Sequence, residues 1–458
     1  MNRPTAAPGE QQVSKEIRDE WAWDPAGTAL PKSVDVVIIG GGIVGCSAAY
    51  FLARRGVSVL LCEKGRLAGE QSGRNWGWVR QQGRSPIELP LMMESLRIWQ
   101  GFARELGEDL GFAQGGCLYL ADNETDLEGL AKWLTVAREH ALDTRLLSTT
   151  ELGTVLRSDV SRWAGALYTA SDGRAEPSRA AAGIARAAVR AGARIITTCA
   201  VRGVEFAAGR VHAVVTEHGS VSTTTVLCAG GAWTSLFCRR HGIVVPQLRV
   251  KGTVARTAPA AAVLDGEAWS PHVAIRRRCD GGYTVAHGSA LQHALVPDTF
   301  RFASKFMPAF AQEHGAIRLR FGREFFAALG TPAGWPLDRP SPFEQHRMLD
   351  PTPDARVLAE MRAALERWFP ELAPAPFVET WGGMIETSPD VLPVLSAVPD
   401  QPGFFIATGF SGHGFGIGPG AGAFMARLVT GEAAAATVAP LRLSRFFDGS
   451  PIRPGPTI

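Results

Sequence analysis

The sequence predicts an α/β protein, and three observations carry the prediction. Residues 34–64, VDVVIIGGGIVGCSAAYFLARRGVSVLLCEK, read as strand, glycine turn, helix and strand. Strand-like and helix-like stretches alternate near both ends of the chain, and the middle is strand-rich. A second apolar run that breaks into glycines, FFIATGFSGHGFG at 404–416, opens another helical stretch.

In the first motif each residue has a physical task. Gly40 permits the tight turn out of the strand, Gly42 lets backbone approach a pyrophosphate, and Gly45 lets helix and strand pack closely. Ile43 begins the helix, whose free N–H groups and positive end face the phosphates. Glu63, eighteen residues beyond Gly45 and followed by Lys64, supplies a carboxylate for ribose hydroxyls. The motif predicts dinucleotide binding in a Rossmann-like unit. It does not separate FAD from NAD.

After Glu63 a polar, glycine-rich loop runs from Gly65 to Gly77. Leu89, Met92, Leu96, Trp99, Ala103 and Leu106 recur at spacings of three or four and predict an amphipathic helix. Gly116–Leu120 reads as a strand and Thr125–His140 as one helix. Proline near its start and glycine at its end delimit a helix from Pro177 to Gly192. A strand is expected at Ile195–Thr197. Val201–Phe206, Val211–Thr216 and Val221–Cys228 then read as a β-meander. Between about 243 and 375 short strands (Val250–Arg256, Ala274–Arg278, Tyr283–Ala286) are mixed with proline-rich loops, before a helix at Val357–Phe369. Phe404–Ala407 is a strand, and Gly409–Gly420 is a loop opening a helix that runs to about Val429. No internal repeat is visible.

A chain of 458 residues is long enough for two or three domains. Its formal charge of +3 argues against nucleic acid as a partner. The seven cysteines include no C-x-x-C pair and read as free thiols, with no metal site expected. No apolar run reaches the ~18–20 residues of an integral membrane span. The start of the chain lacks the apolar core of a signal peptide, so a cytoplasmic protein is expected. Met1 to about Glu10 is expected to be disordered, and Ile17–Trp23 to form a short helix.

The late glycine turn favours FAD over NAD. A second helix N-terminus has no use for NAD, whereas amide N–H groups and a helix dipole at the N1–C2=O edge of a flavin stabilise its reduced, anionic form. The combination of GGGIVGCSAAYFLARRGVSVLLCEK (40–64), SGRNWG (72–77), VLCAGGAW (226–233) and GFSGHGFG (409–416) resembles the D-amino-acid oxidase-type family of FAD-dependent oxidoreductases. That family includes glycine oxidase, sarcosine oxidase, D-amino-acid dehydrogenase and gamma-glutamylputrescine oxidase. The resemblance covers roughly residues 34–430, and the WGGMIE and GFSGHG wording is nearest the polyamine-type members.

The resemblance implies a Rossmann-like FAD-binding lobe and a second, α+β substrate lobe built on a large mixed sheet. The expected division is an N-terminal extension (1–33), a discontinuous FAD-binding domain (34–95, 160–240 and 379–435), a substrate domain (96–159 and 241–378) and a C-terminal tail (436–458). It further implies that Gly40, Gly42 and Gly45 face the pyrophosphate, Glu63 the adenine ribose, and the backbone of Val201 the adenine. Ser72, Arg74, Asn75, Trp76 and Gly77 run past the phosphates and the ring. Ala229, Gly230 and Trp233 lie under the phosphates or ribityl chain, and Gly409, Gly412, His413 and Gly414 line the pyrimidine side. Asn75 and Trp76 stand where some members carry a flavin-linking histidine, so non-covalent FAD is expected.

The implied chemistry is hydride transfer from the carbon bearing an amine to flavin N5, followed by imine hydrolysis. The carbon must be held about 3 to 3.5 Å from N5, and a desolvated pocket favours the neutral amine that the reaction needs. The usual carboxylate anchors are missing, since Ile385 and Gly416 align where related members carry arginine and lysine. Arg80 and Arg276 are the replacement candidates, because a guanidinium fork matches two oxygens; the alternative is that each is structural. Glu386 is either a partner for a remote ammonium or a strand-end carboxylate. His287 shares a strand face with Tyr283 and either looks into the cavity or packs. His413 is held near the ring by its glycine loop.

Thr284 aligns where sarcosine oxidase-like members carry an oxygen-activating lysine, so O2, a quinone and a protein carrier all stand as electron acceptors. A contrasting reading is a flavin-binding electron-transfer or assembly subunit without turnover of its own. An NAD-dependent dehydrogenase, which would be colourless, is a third.

Overall fold

The computed structural model describes residues 29–313, 315–433 and 439–455. The expected disordered start, the helix expected at Ile17–Trp23 and part of the tail lie outside them. A six-stranded sheet forms the floor of the first lobe, in the order Val394–Ala397, Phe404–Thr408, Thr225–Cys228, Val36–Ile39, Val59–Cys62, Arg194–Ile196. All neighbours are parallel except the first pair. Burial on both faces explains why the central strands are continuous apolar runs.

One face of this sheet carries four helices, Ile43–Ala53, Leu89–Leu106, Pro177–Arg190 and Gly414–Val429, around a common core that includes Met92, Trp99, Phe102 and Phe424. The last of these helices lies close enough to the first that a side chain at Gly422 would sit 2.4 Å from Ser47 Cβ. The other face packs on an antiparallel meander, Val201–Ala207, Arg210–Thr216 and Gly219–Ser222. The expected third run, Val221–Cys228, is two strands. The Thr223 hydroxyl donates to the Asp35 carbonyl and accepts from the Thr225 amide, bending the chain from the meander into the parallel sheet.

The second lobe is a ten-stranded mixed sheet. Its longest pair joins Leu248–Thr257 to Phe377–Thr387, antiparallel, with Val250 opposite Ile385 and Gly252 opposite Gly383. The helix Ala355–Trp368 buries Val357, Met361 and Leu365 against the sheet beside Ile275, Tyr283 and Val285. The single helix expected at Thr125–His140 is broken into Glu124–Ala131 and Leu134–Glu139, where Trp133 donates its indole N–H to the Arg84 carbonyl.

Residue 95 falls inside the helix Leu89–Leu106, which packs wholly on the first lobe. Gly165–Thr169 and Phe377–Thr387 are strands of the large sheet. In the tail, Leu443 and Phe446 are buried on the first lobe, and Arg445 pairs with buried Asp390 at 2.7 Å. All seven thiols are unpaired, and six are buried. Among the described residues no helix is long and apolar enough to cross a membrane.

Candidate active site

The first glycine turn is built as the motif requires. Gly40 has φ +110°, and a side chain there would lie 2.4 Å from the Ala229 carbonyl oxygen. A side chain at Gly45 would lie 2.1 Å from the Gly40 carbonyl oxygen, so this glycine seats helix on strand. At Gly42 the nearest atom is Ser72 Oγ at 3.1 Å, leaving that face open. The Ser72 hydroxyl also accepts the Ile43 N–H at 2.9 Å. Glu63 accepts the Gly41 N–H on one oxygen and the Gly65 N–H on the other, both at 2.7 Å. Burial pushes its carboxyl pKa up, and those two amides oppose the rise.

The loop that follows is locked by its own side chains. Lys64 donates to Glu70 and to the carbonyls of His346 and Arg347, and its ammonium lies 4.4 Å from the Trp233 ring centroid. Trp233 in turn donates to Glu70 at 2.9 Å. Arg74 binds Asp350 and the carbonyls of Gly69 and Gly382. Asn75 donates to the Ser72 carbonyl at 2.8 Å and accepts the Gly77 N–H at 2.7 Å. Trp76 packs edge-on against Trp78. Gly77, at φ +82°, leaves room for the Arg276 guanidinium, which a side chain there would meet at 2.7 Å.

The second turn uses left-handed backbone at Gly409, Ser411 and Gly412. Glu386 fixes it from below. One of its oxygens accepts the N–H groups of Gly409 and Phe410 at 3.0 and 3.3 Å; the other accepts from Gln247 and Thr408 at 3.1 and 3.2 Å. With these four donors the Glu386 carboxylate staples the turn, and it also lines the cavity. A side chain at Gly416 would lie 3.0 Å from the Trp78 carbonyl oxygen, a tight approach to backbone.

The two candidate arginines separate. Arg276 does not line the cavity. It is fully buried and bidentate with Glu176 at 3.0 and 3.2 Å, and it donates to Thr284 at 2.9 Å. Arg80 does line the cavity, donates to the Gln82 carbonyl and lies 5.5 Å from the Tyr119 ring centroid. Tyr283 points away from the cavity into the core beneath the large sheet. His287, just past the strand end, still reaches the cavity wall, where Nδ1 accepts the Ser289 N–H and Nε2 stands 3.8 Å from Glu360.

Two residues at this wall escaped sequence reasoning. Arg84 and Glu88 follow Arg80 in the turn-rich segment that leads into the amphipathic helix Leu89–Leu106, and that cluster of charges was the available signal. Arg84 lines the cavity, and its Nη1 has no hydrogen-bond partner. Glu88 is buried, with one carboxylate oxygen 3.5 Å from His413 Nδ1. Burial, reinforced by Arg84, holds the His413 pKa down at about 4, with Glu88 opposing.

These pieces enclose one cavity of about 540 Å³. Gly42, Glu63, Val201 and Gly230 line one part of it, Gly412, His413 and Gly414 another, and the large sheet contributes Val250, Gly252 and Ile385. Gly45 and Gly409 stand behind the wall as packing and turn residues. The open face at Gly42, the amides of the helix start and the buried Glu63 carboxylate fit a dinucleotide.

Residues 35–428 match the family described as FAD dependent oxidoreductase. The chain belongs to this family. It is 27% identical to sarcosine oxidase subunit beta of Arthrobacter sp over 94% of this chain and 95% of that one. It is also 27% identical to the mitochondrial sarcosine dehydrogenase of Mus musculus over 87% of this chain, but spans only 40% of that relative's length. Among solved structures, the L-amino acid deaminase of Proteus myxofaciens superposes with a TM-score of 0.89 at 33% identity, covering 93% of this chain and 96% of that one. As a member of this family the chain is an FAD-dependent oxidoreductase.

Proposed function

We propose that this chain oxidises the CH–NH bond of an amine or amino acid. Bound FAD supplies the hydride acceptor, and the imine product hydrolyses in water. The observation that carries this reading is the single cavity lined by both glycine turns, with the large sheet and the helix Ala303–Glu313 completing its wall. Gly40, Gly42, Ile43 and Ser72 would hold the pyrophosphate, Glu63 the ribose, and Val201 the adenine. Ala229, Gly230 and Trp233 would run along the middle of the cofactor, with Gly412, His413 and Gly414 at its far end. Asn75 and Trp76 offer no covalent link to the ring.

The substrate then occupies the space between the far turn and the large sheet. Arg80 and Arg84 give that space a positive wall, which suits an amine that also bears a carboxylate. The names of the relatives, which include sarcosine and glycine oxidases and an L-amino acid deaminase, fit that class. The test is anaerobic mixing of the FAD-loaded protein with D- and L-amino acids, N-methyl amino acids and amines. Bleaching of the flavin band by one of these classes is the expected outcome; a panel that leaves the band intact overturns the reading. Admission of air afterwards separates an oxidase from a dehydrogenase. Thr284, where the oxidase-type lysine is absent, favours a slow return of colour.

A second reading rests on the near full-length match to a subunit, sarcosine oxidase subunit beta. Here the chain works only beside a partner chain. A flavin that amines reduce in the isolated protein rules this out.

A further inference from the structure

The helix Leu89–Leu106 grips the second glycine turn at two levels. Deeper in, Ser95 Oγ and Trp99 Nε1 donate to the Gly416 carbonyl at 2.6 and 2.8 Å, and Ser95 Oγ accepts the Gly420 N–H at 3.1 Å. At the entrance, Glu88, the residue before the helix, brings Oε2 to 3.5 Å from His413 Nδ1. Both side chains are buried, at 1% and 2% exposure. Packing alone does not account for this pair. Glu88 Oε1 and both ring nitrogens of His413 are buried without a completed hydrogen bond, and the imidazole lines the cavity. A buried carboxylate beside a buried imidazole in low dielectric is costly unless the pair is completed by a ligand. Hydrogen bonds at such sites tighten when the ligand arrives.

We propose that Glu88 is a positioning residue for His413: it holds the proton on Nδ1, so that Nε2 is presented to the cavity as a hydrogen-bond acceptor for an N–H of the substrate amine. This deepens the function proposed above and rests on it for the identity of the ligand. The arrangement follows the rule that the bond made by one ring nitrogen sets the role of the other. Three features bias the pair toward a carboxylate and a neutral imidazole. The start of the helix favours negative charge at Glu88. Arg84 and Arg80 act on both groups in the same sense, lowering the pKa of each. Burial disfavours an imidazolium. The cavity then offers the amine an acceptor, while the two arginines supply the positive charge.

Two measurements test this on the FAD-loaded full chain. Nitrogen-15 spectra of histidine-labelled protein, with His413 identified by its loss in His413→Asn, read the tautomer without any substrate. A single Nδ1-protonated form is expected in the native protein, and loss of that single form in Glu88→Gln and Glu88→Ala. An Nε2-protonated native ring, or a tautomer unchanged by both substitutions, overturns the proposal. The second measurement is anaerobic flavin reduction by an amine that reduces the native protein. Glu88→Gln is expected to slow it about 10–100-fold with FAD content unchanged, and by less than about twofold in the His413→Asn background. Full-size, multiplying losses overturn the coupling, as does an equal loss of FAD binding. Glu88→Asp keeps the charge and is expected to fall between native and Glu88→Gln, which covers the case where the neutral variants fold poorly. If no amine reduces the native flavin, the proposed function fails, while the tautomer measurement still decides the role of Glu88.

Discussion

Glu176 forms the bidentate ion pair with the fully buried Arg276, and the two side chains are only 4% and 0% exposed. Removing one partner of such a pair strands the other, so Glu176→Gln is expected to cost about 3–5 kcal/mol in urea unfolding. Burial alone would raise the Glu176 pKa, but Arg276 outweighs it and holds the carboxyl at about 2, against an ordinary 4.5. The folded state therefore favours the carboxylate. Its contribution is fully present above pH 4.5 and is lost as pH falls toward 2. Unfolding curves of the variant across that window should be flatter than those of the native chain. Glycines separate in the same way. Gly45→Ala meets backbone at 2.1 Å and should lower stability by about 2 kcal/mol or more. Gly42→Ala meets only a serine hydroxyl, so apo stability should hold while FAD affinity, read by flavin fluorescence titration, falls at least about tenfold. That Gly45 seats helix on strand was legible from spacing alone. The pairing of Arg276 was not, because Glu176 lies 100 residues away in sequence and meets it only through the fold.

At the level of elements, the helix Leu89–Leu106 was readable because its apolar positions recur at helical spacing. What could not be read was that Trp99 spends its indole N–H on the Gly416 carbonyl. Trp99→Phe keeps the ring and removes that donor, and should cost about 1–2 kcal/mol; thermal unfolding of the apo chain checks this. The full extent of the strand Phe377–Thr387 is not legible in the sequence, for a physical reason. Its centre is Trp381-Gly382-Gly383, which reads as a turn when taken alone. It is extended because Leu248–Thr257 supplies a ladder partner along its whole length, and because a side chain at Gly382 would meet the Pro351 carbonyl oxygen at 2.3 Å. Tertiary pairing overrides local propensity there.

Across the whole molecule, the cavity lies where strands of both lobes and both glycine turns meet, so a ligand there ties the lobes together. Saturation with FAD at about 100 times its dissociation constant should add about 2.7 kcal/mol to stability. Thermal scans of the apo chain with and without added FAD measure it, and an unchanged midpoint would count against the cavity as the flavin site. The six-stranded sheet has a further consequence, for how the protein is made. Its strands are drawn from residues as far apart as Val36 and Thr408, and the helix that completes the far turn ends at Val429. A chain emerging from the ribosome therefore exposes its nucleotide-binding turn long before the opposite jaw exists. Flavin capture by both turns is therefore expected to be a late event, and a chain truncated before that last helix is expected to retain no FAD.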